Sequence, residues 1–330
     1  MDPIIPVPPQ LYGGIERVVY LLANQYIKAG HTVTLLAGPG SYCDGATVIF
    51  GYNGSVSKWQ QLSDIKTVWH FLLANKNNFD LVHNFGRLIY LLPILNNRAI
   101  KIMSYQRAVT KRSIYITTSL PNKNLIFTAC SNYCVSTGNV AGNWEAVYNT
   151  IDFSSYRLNE TVTPNAPLMF LGRLDRIKGV HTAIDVAKAT GHQLIIAGNI
   201  PDTPDNLDYY KTEIEPLFDG QQVKYVGALN DAAKNQYLQQ AKALLFPIEW
   251  DEPFGIVMIE AMACGTPVIA FNRGSVPEVV EEGVNGFIVS NANQMVQQVS
   301  NINKIDRKRC REAAEGRFNI NVIAAKYLSL

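Results

Sequence analysis

Short apolar runs without polar alternation, separated by helix-like segments of about ten residues, constrain the fold of this chain most strongly. Clear examples are residues 194–198 and 243–247, each of which reads as a strand buried on both faces. Strands of that kind occur in parallel sheets, because crossover helices cover both faces of the sheet. The sequence therefore predicts an α/β protein built from doubly wound parallel sheets.

Length and one polar stretch indicate the domain organisation. The chain has 330 residues, which suggests two domains at about 150 residues each. Residues 149–167 are polar, contain prolines and show no periodicity. We therefore predict one Rossmann-like domain over residues 1–155 and a second over residues 156–330, and leave open whether the last helix returns to the first. Because ligands bind beyond the carboxyl ends of parallel strands, the predicted site lies in a cleft between the domains.

Hydrophobic periodicity predicts the individual elements. Helices are predicted at residues 14–29, 58–75, 179–190, 208–218, 232–241, 255–264 and 292–315. Strands are predicted at residues 31–37, 47–52, 81–83, 100–105, 125–130, 146–148, 168–172, 193–197, 223–226, 243–247, 268–271 and 287–289. The alternation of the two types is more regular in the second half of the chain.

Charge and motif content exclude several classes of function. The 29 basic and 27 acidic side chains give a net charge of +2, which provides no general field for nucleic acid. The basic cluster at residues 304–311 is interpreted as a solvated helix face. The glycine motifs of dinucleotide-binding and P-loop proteins and the G-x-S-x-G motif are missing. The five cysteines and five histidines lack metal-ligand spacing, so we expect neither a metal nor a cofactor.

The cysteine content and the start of the chain bear on location. No apolar stretch approaches the roughly 18 to 20 residues of a spanning helix, and residues 1–3 do not begin a secretory signal. An odd number of cysteines fits reduced thiols. The expected location is therefore the cytoplasm, and peripheral contact with a membrane is compatible with it.

The segment 250–267 has the richest chemistry in the chain. It follows an apolar strand and opens a helix near Gly255, so Glu252 is predicted at the carboxyl end of a strand. The first helical N–H groups, near Gly255, Ile256 and Val257, have no intrahelical acceptors and suit a diphosphate. Glu260 lies about 7.5 Å further along the helix axis. From there its carboxylate can accept hydrogen bonds from ribose hydroxyls.

These residues resemble a known family. The spacing E-x7-E from Glu252 to Glu260, with Pro253-Phe254-Gly255 between them and EAMACGTPVIA at 260–270, closely resembles retaining glycosyltransferases of family 4, the glycosyl transferases group 1, which have the GT-B fold. The similarity extends through residues 170–174, 178–179, 197–198, 272–278 and 283–287. It is continuous over about 165–290 and patchier before residue 150.

The resemblance implies roles for residues of the second domain. Glu252 corresponds to the glutamate that contacts donor-sugar hydroxyls, and Glu260 to the one that holds the ribose. Arg173 and Lys178 match the basic pair that neutralises the leaving diphosphate, where charge develops as the C–O bond breaks. Phe254, Gly255, Ile256 and Val257 belong to the same donor-binding turn.

The first domain matches the family less closely. Gly13 and Gly14 resemble the family's glycine loop, which lets backbone approach the phosphates. Four prolines within residues 1–10 deny ladder hydrogen bonds, so the first strand is short or missing and Ile4–Gln10 should not form a central strand. Many members carry a histidine in the stretch that reads here as residues 103–107, without histidine. His83 and Asn84, which end a different strand, are the candidates for the acceptor side, and a structural role for His83 is the alternative.

The resemblance implies transfer of a sugar, with retention, from a nucleotide-diphosphate sugar to a hydroxyl acceptor. The donor expected is a UDP- or GDP-sugar, and the acceptor a glycan or small molecule. Such enzymes are typically metal-independent, with which the missing D-x-D motif agrees. The main alternative is a nucleotide-sugar-binding protein without transferase activity. A nucleotide-sugar 2-epimerase and a periplasmic sugar-binding protein are further alternatives.

Overall fold

The computed structural model describes residues 6–9, 13–50, 57–109, 111–138 and 142–330. The chain forms two compact units, Met1–Asn149 with Ile320–Leu330, and Thr150–Asn319. The units therefore divide six residues before the predicted position of 155/156, and the last helix belongs to the first unit. Both units have parallel sheets with helical crossovers, so the predicted α/β class is confirmed.

The first unit contains two separate parallel sheets. Its strands are β1 (Thr34–Ala37), β2 (Thr47–Phe50), β3 (Leu81–Asn84), β4 (Ile100–Tyr105), β5 (Leu125–Ala129) and β6 (Trp144–Ala146). Its first four helices are α1 (Gly14–Lys28), α2 (Lys58–Ala74), α3 (Lys111–Thr118) and α4 (Asn132–Gly138). Strands β1 and β2 pair with each other, and the other four form a sheet in the order β3-β4-β5-β6.

Within the described ranges, the outer edges of β1 and β3 pair with no further strand, and both edges line one cavity. Thr47 N–H donates to Val33 O, and Ile100 N–H donates to Asp80 O. Backbone groups alternate sides along a parallel strand, so those of Thr34 and Leu36 point away from β2, and those of Leu81 and His83 away from β4. A cavity beside these edges is lined by Thr34, Leu35 and Leu36 and by residues 81–85. Among the described residues, the unit thus has two strand edges that face a common cavity.

The segment before α1 forms no strand where it is described. Within the stretch Ile4–Gln10, the structure describes residues 6–9 only, and these have no strand conformation; residues 4, 5 and 10 lie outside the described ranges. Val7 is buried, its N–H donates to Ser41 Oγ over 2.9 Å, and its carbonyl oxygen accepts from Tyr42 N over 2.7 Å. The predicted absence of a central strand therefore holds for residues 6–9.

An apolar extension placed ahead of Met1 is expected to stabilise the first unit. A five-residue strand such as Lys-Ile-Ala-Ile-Val could pair with the outer edges of β1 and β3, which have no strand partner in the described ranges, and bury apolar surface in the cavity. We expect the melting temperature to rise by several degrees, on the order of 5 °C. Differential scanning calorimetry would measure the rise, and an extension of the same length made of Gly and Ser is the control. Equal melting temperatures for the two extensions would show that the cavity does not accept a strand.

The second unit has a single six-stranded parallel sheet in the order β12-β11-β10-β7-β8-β9. Its strands are β7 (Leu168–Leu171), β8 (Leu194–Ala197), β9 (Val223–Tyr225), β10 (Ala243–Phe246), β11 (Val268–Phe271) and β12 (Gly286–Val289). Its helices are α5 (Val180–Thr190), α6 (Pro204–Tyr209), α7 (Asp231–Gln240), α8 (Ile256–Ala263), α9 (Val276–Val279), α10 (Ala292–Asn301) and α11 (Arg307–Phe318); the last helix of the chain is α12 (Ile320–Leu328). The strand order reverses between β7 and β10, which makes their carboxyl ends the expected ligand crevice.

Several predicted boundaries differ from the structure. The helix predicted over 292–315 is broken, because Asp306 caps the start of α11 by accepting from Arg309 N over 2.8 Å. The helix predicted over 208–218 begins at Pro204 and continues as a π-helical turn, Tyr210–Ile214. The strand predicted at 146–148 lies at Trp144–Ala146 instead. Helices α3, α4 and α9 were not predicted.

The interpretation of residues 304–311 as a solvated face was wrong for two arginines. Arg307 is 7% exposed, and its guanidinium donates to the carbonyl oxygens of Asn159, Gln239 and Ala241. Arg311 donates to three further carbonyl oxygens, those of Phe153, Tyr156 and Ala263. These arginines join α11 to the chain around α8, because a guanidinium offers several donors in a fixed geometry.

Candidate functional site

Three of the predicted site residues gather where the strand order reverses. Arg173 follows β7, Lys178 ends the 3₁₀ turn Arg176–Lys178, and Glu252 lies in the turn after β10. Strands β7 and β10 are hydrogen-bonded neighbours. Lys178 Nζ lies 2.7 Å from Glu252 Oε2, and both side chains are mostly buried. The predicted diphosphate cation and the predicted sugar-binding carboxylate therefore form an ion pair with each other.

The close approach of the two turns depends on a glycine. Gly179 follows Lys178 with φ 74°, in the left-handed region, and directly precedes α5. A Cβ on this residue would lie 2.0 Å from the carbonyl oxygen of Pro247, which follows β10. Only glycine therefore fits, both for its backbone angle and for its contact. This packing fixes Lys178 beside the turn that carries Glu252.

Trp250 completes the surroundings of the ion pair. Its Nε1 donates to Glu252 Oε2 over 2.8 Å, and Lys178 Nζ lies 4.9 Å from the centre of its ring. Both bonds reach the same carboxylate oxygen, which leaves Oε1 without a partner among the described residues. Sequence analysis assigned no role to Trp250, although this residue begins the segment 250–267. The arrangement positions one carboxylate oxygen and leaves the other for a hydroxyl group.

Arg173 is the most accessible cation of this group. Its guanidinium lies 2.5 Å from Asp175 Oδ2, and its side chain is 43% exposed, whereas that of Asp175 is 6% exposed. A buried carboxylate that contacts one side of a guanidinium holds it in place. The remaining N–H groups of Arg173 can then meet an anion that enters from solvent.

The start of α8 provides backbone donors next to Glu252. Gly255 has φ 80° and precedes the first helical residue, Ile256, so the N–H groups of Ile256 and Val257 lie at the positive end of the helix. The Phe254 side chain is 1% exposed and packs edge-on against Phe318 at 5.7 Å between ring centres. The Phe254 ring therefore anchors the turn in the core, and a contact of this residue with a donor stays a prediction.

Glu260 lies deeper, in a buried polar cluster. The residue is 3% exposed, and its Oε1 accepts from Tyr156 OH over 2.9 Å and pairs with Lys234 Nζ. Asp231 Oδ1 lies 3.2 Å from the same ammonium group. Lys234 and Tyr156 were missed by sequence analysis, because they come from α7 and from the polar stretch before β7, far from the motif in sequence. They neutralise and orient a carboxylate whose second oxygen has no partner among the described residues.

The two predicted glycines of the first unit, Gly13 and Gly14, lie at the start of α1. Gly13 directly precedes α1, and a Cβ on it would lie 2.6 Å from Pro9 Cβ. Gly14 is the first residue of the helix. Their approach to a diphosphate stays a prediction.

His83 and Asn84 are bonded within the first unit. His83 Nε2 lies 2.7 Å from Ser104 Oγ, and its ring packs against those of Phe85 and Tyr327. Burial lowers the pKa of His83 to about 3, so the ring is neutral at physiological pH. The Asn84 amide donates to Arg87 O, and its Oδ1 accepts from Gly86 N. His83 lines the cavity beside β1, but its contacts also suit a structural histidine.

Across the described ranges, no group of three or more His, Cys, Asp or Glu side chains is arranged to hold a metal ion. The helices of the described ranges are all too short or too polar to cross a bilayer.

Residues 159–317 match the family described as glycosyl transferases group 1. A 41.2 kDa protein of the cps region of Klebsiella pneumoniae, itself uncharacterised, is 26% identical over 99% of this chain and 98% of its own length. The next curated relatives match over about half or less of their own length.

Solved structures match most of the chain. AviGT4, a glycosyltransferase involved in avilamycin A biosynthesis, is 25% identical, with a TM-score of 0.72 over 100% of this chain and 92% of its own. HepE from Anabaena, solved with UDP and glucose, is 19% identical, with a TM-score of 0.74 over 96% of this chain and 95% of its own.

Proposed function

Because this chain belongs to the glycosyl transferases group 1 family through residues 159–317, a group with the GT-B fold, we propose that it is a retaining enzyme. In this proposal it moves a sugar from a nucleotide-diphosphate sugar to a hydroxyl acceptor. The observation that carries the proposal is the Lys178–Glu252 pair at the carboxyl ends of β7 and β10. A cation for the diphosphate and a carboxylate for the sugar lie there within one hydrogen bond of each other.

The electrostatics of the second unit suit a diphosphate leaving group. Cleavage of the sugar–oxygen bond leaves negative charge on the β-phosphate. Arg173, Lys178 and the N-terminus of α8 offer two cations and oriented backbone dipoles to that charge. Preorganised donors of this kind stabilise the transition state without reorganisation. Since the cations provide the neutralisation, we propose that the reaction is independent of a metal ion.

Glu252 is proposed to orient the sugar rather than to attack it. Its Oε2 is held by Lys178 and Trp250, so Oε1 is the atom that can accept from a sugar hydroxyl. In this route the acceptor attacks from the face that the diphosphate leaves, and the departing phosphate oxygen accepts the proton of the acceptor hydroxyl. The new bond then keeps the configuration of the donor, and no glycosyl-enzyme intermediate forms.

A uridine nucleotide is the first donor to test. HepE, which shares this fold, was solved with UDP and with UDP-glucose. The buried Glu260 of this chain, with Oε2 without a partner among the described residues, provides an acceptor for ribose hydroxyls but makes no choice between bases. We therefore propose a UDP- or GDP-sugar as donor and a glycan or small-molecule hydroxyl as acceptor.

A ligand panel followed by turnover tests the proposal. Thermal shifts with UDP-, GDP- and ADP-sugars are expected to identify one nucleotide class, and the best donor should then release free nucleoside diphosphate in a coupled assay. Release should persist in EDTA. Binding without any release, with water or with a panel of sugar acceptors, would favour a binding protein without transferase activity.

A further inference from the structure

A long stretch of the first unit has no acidic side chain. Between Asp80 and Glu145 the sequence contains seven basic residues and neither Asp nor Glu. The basic residues are Arg87, Arg98, Lys101, Arg107, Lys111, Arg112 and Lys123. The first unit has 13 Lys and Arg against 6 Asp and Glu, a net charge of +7, whereas the second has 16 against 21, a net charge of −5. The net charge of the whole chain is therefore near zero although its first unit is strongly cationic.

Helix α3 presents part of this charge on one face. Ile114 and Thr117 are its buried residues. Because residues three or four apart share a face, Lys111, Arg112, Tyr115, Ile116 and Ser119 lie on the opposite side, where all five are exposed. Leu120 and Lys123 follow in the exposed loop after the helix. We call Lys111, Arg112, Tyr115, Ile116, Leu120 and Lys123 the α3 surface.

The α3 surface combines free cations with large exposed apolar groups. Tyr115 is 72% exposed, Ile116 49% and Leu120 42%. None of the three cations forms a salt bridge with another residue of the described ranges. The segment packed beneath the helix, Leu88–Ile94, is uncharged. The cations are therefore available to an external anion, and the apolar groups lie beside them in water.

We propose that the α3 surface docks the protein on an anionic lipid bilayer. Lys111, Arg112 and Lys123 would lie at the level of acidic headgroups, where each cation is attracted by the surface potential. Tyr115 would occupy the interface, as amphipathic rings do, and Ile116 and Leu120 would enter the acyl boundary. The helix lies on the membrane in this arrangement and does not span it.

The apolar side chains favour lipid over nucleic acid. A nucleic-acid surface uses cations for phosphates and aromatic rings for stacking, and it offers nothing to two exposed aliphatic groups. Burial of Ile116 and Leu120 among acyl chains removes their apolar surface from water. A bilayer therefore explains both components of the α3 surface, whereas a polyanion explains only the charge.

Vesicle co-sedimentation tests the proposal independently of the sugar reaction. The full chain should bind vesicles of phosphatidylcholine with about 30 mol% phosphatidylglycerol and should not bind phosphatidylcholine alone, since acidic lipid provides the attraction. The variant Lys111→Ser/Arg112→Ser/Lys123→Ser should bind on the order of 100-fold more weakly, at roughly fivefold per charge. All three substitutions are at exposed positions.

A charge-matched variant of the second unit is the control. Lys188→Ser/Lys211→Ser/Lys224→Ser removes three exposed cations elsewhere and should leave vesicle binding nearly unchanged. If both triple variants lost vesicle binding equally, the attraction would come from the net charge of the protein. That result would refute the proposal that the α3 surface docks on the bilayer.

An apolar variant separates insertion from charge alone. Tyr115→Ser/Ile116→Ser/Leu120→Ser keeps every cation and should also weaken vesicle binding by tenfold or more, because the inserted groups are lost. If this variant bound vesicles as tightly as the wild type, the proposed insertion of these three side chains into the bilayer would be wrong. The proposal would also be overturned if the wild type did not bind vesicles. Tight binding of a single-stranded oligonucleotide that requires the same three cations would then identify a nucleic acid as the ligand of the α3 surface.

Discussion

Replacement of Lys178 by alanine, or of Arg173 by alanine, is expected to lower turnover about 10²-fold each. Both cations lie at the carboxyl end of the β7 region, one on Glu252 and the other on Asp175. In the proposed reaction, each substitution removes one stabiliser of the charge that develops on the leaving diphosphate. Steady-state release of nucleoside diphosphate measures the effect, and the decrease should appear in kcat as well as in kcat/KM.

Lys188→Ala is the control for these variants, because Lys188 is an exposed cation at the end of α5, the helix that Lys178 precedes. It should have wild-type turnover. The folded state of each variant can be followed by its melting temperature. A well-folded Arg173→Ala/Lys178→Ala double variant with near-normal rates would contradict the assignment of both residues.

Replacement of Glu260 by glutamine is expected to weaken the binding of free nucleoside diphosphate by ten- to hundredfold. The assigned role is acceptance of ribose hydroxyls by a charged group, and a hydrogen bond to a charged group contributes about 1.5–3 kcal/mol. Calorimetric titration with UDP and with 2′-deoxy-UDP tests it. The wild type should prefer UDP, and Glu260→Gln should lose most of that preference.

Glu252→Gln is expected to give the opposite pattern. Its carboxylate pairs with Lys178, so the substitution leaves that cation free for the diphosphate, and UDP should bind as well as before or more tightly. The intact donor should lose affinity and turnover, because a sugar contact is lost. Glu312→Gln, an exposed residue of α11, is the control and should change nothing.

The Glu260→Gln variant can lose stability as well as nucleotide affinity, so the ribose assignment also needs a test that uses no substitution. Loss of this charge removes one of the two carboxylates that contact the mostly buried Lys234 ammonium group, which lowers the free energy of unfolding. The preference of the wild type for UDP over 2′-deoxy-UDP tests the ribose assignment without any substitution. Equal affinity for the two nucleotides, or a ribose preference that depends on Glu252 instead, would overturn the assigned roles.

Local sequence patterns predicted the second unit well and the first less well. In the second unit, apolar runs such as β8 and β10 are buried throughout, so periodicity alone located them. In the first, α3 has few apolar residues and α4 is only seven residues long, and neither has enough periodicity to be recognised. The separation of its strands into two sheets depends on long-range pairing, which no local pattern records.

The same limit applies to the candidate site: local sequence located the residues of the motif but not the distant residues that contact them. The motif located Glu252, Glu260 and the start of α8, because these residues are close in sequence. It could not identify Lys234 or Tyr156, whose contacts with Glu260 span 26 and 104 residues. The pairing of Lys178 with Glu252, 74 residues apart, is likewise a property of neighbouring strand ends rather than of either segment.

The configuration of the sugar released from the donor tests the central proposal most directly. With the donor selected by the thermal-shift panel, water can act as the acceptor, and proton NMR at early times reports the anomer before it equilibrates. For an α-linked donor the account predicts that the α-anomer appears first, at a rate lowered about 10²-fold by Lys178→Ala. Initial appearance of the β-anomer would contradict retention, and a rate that does not depend on Lys178 would contradict the site.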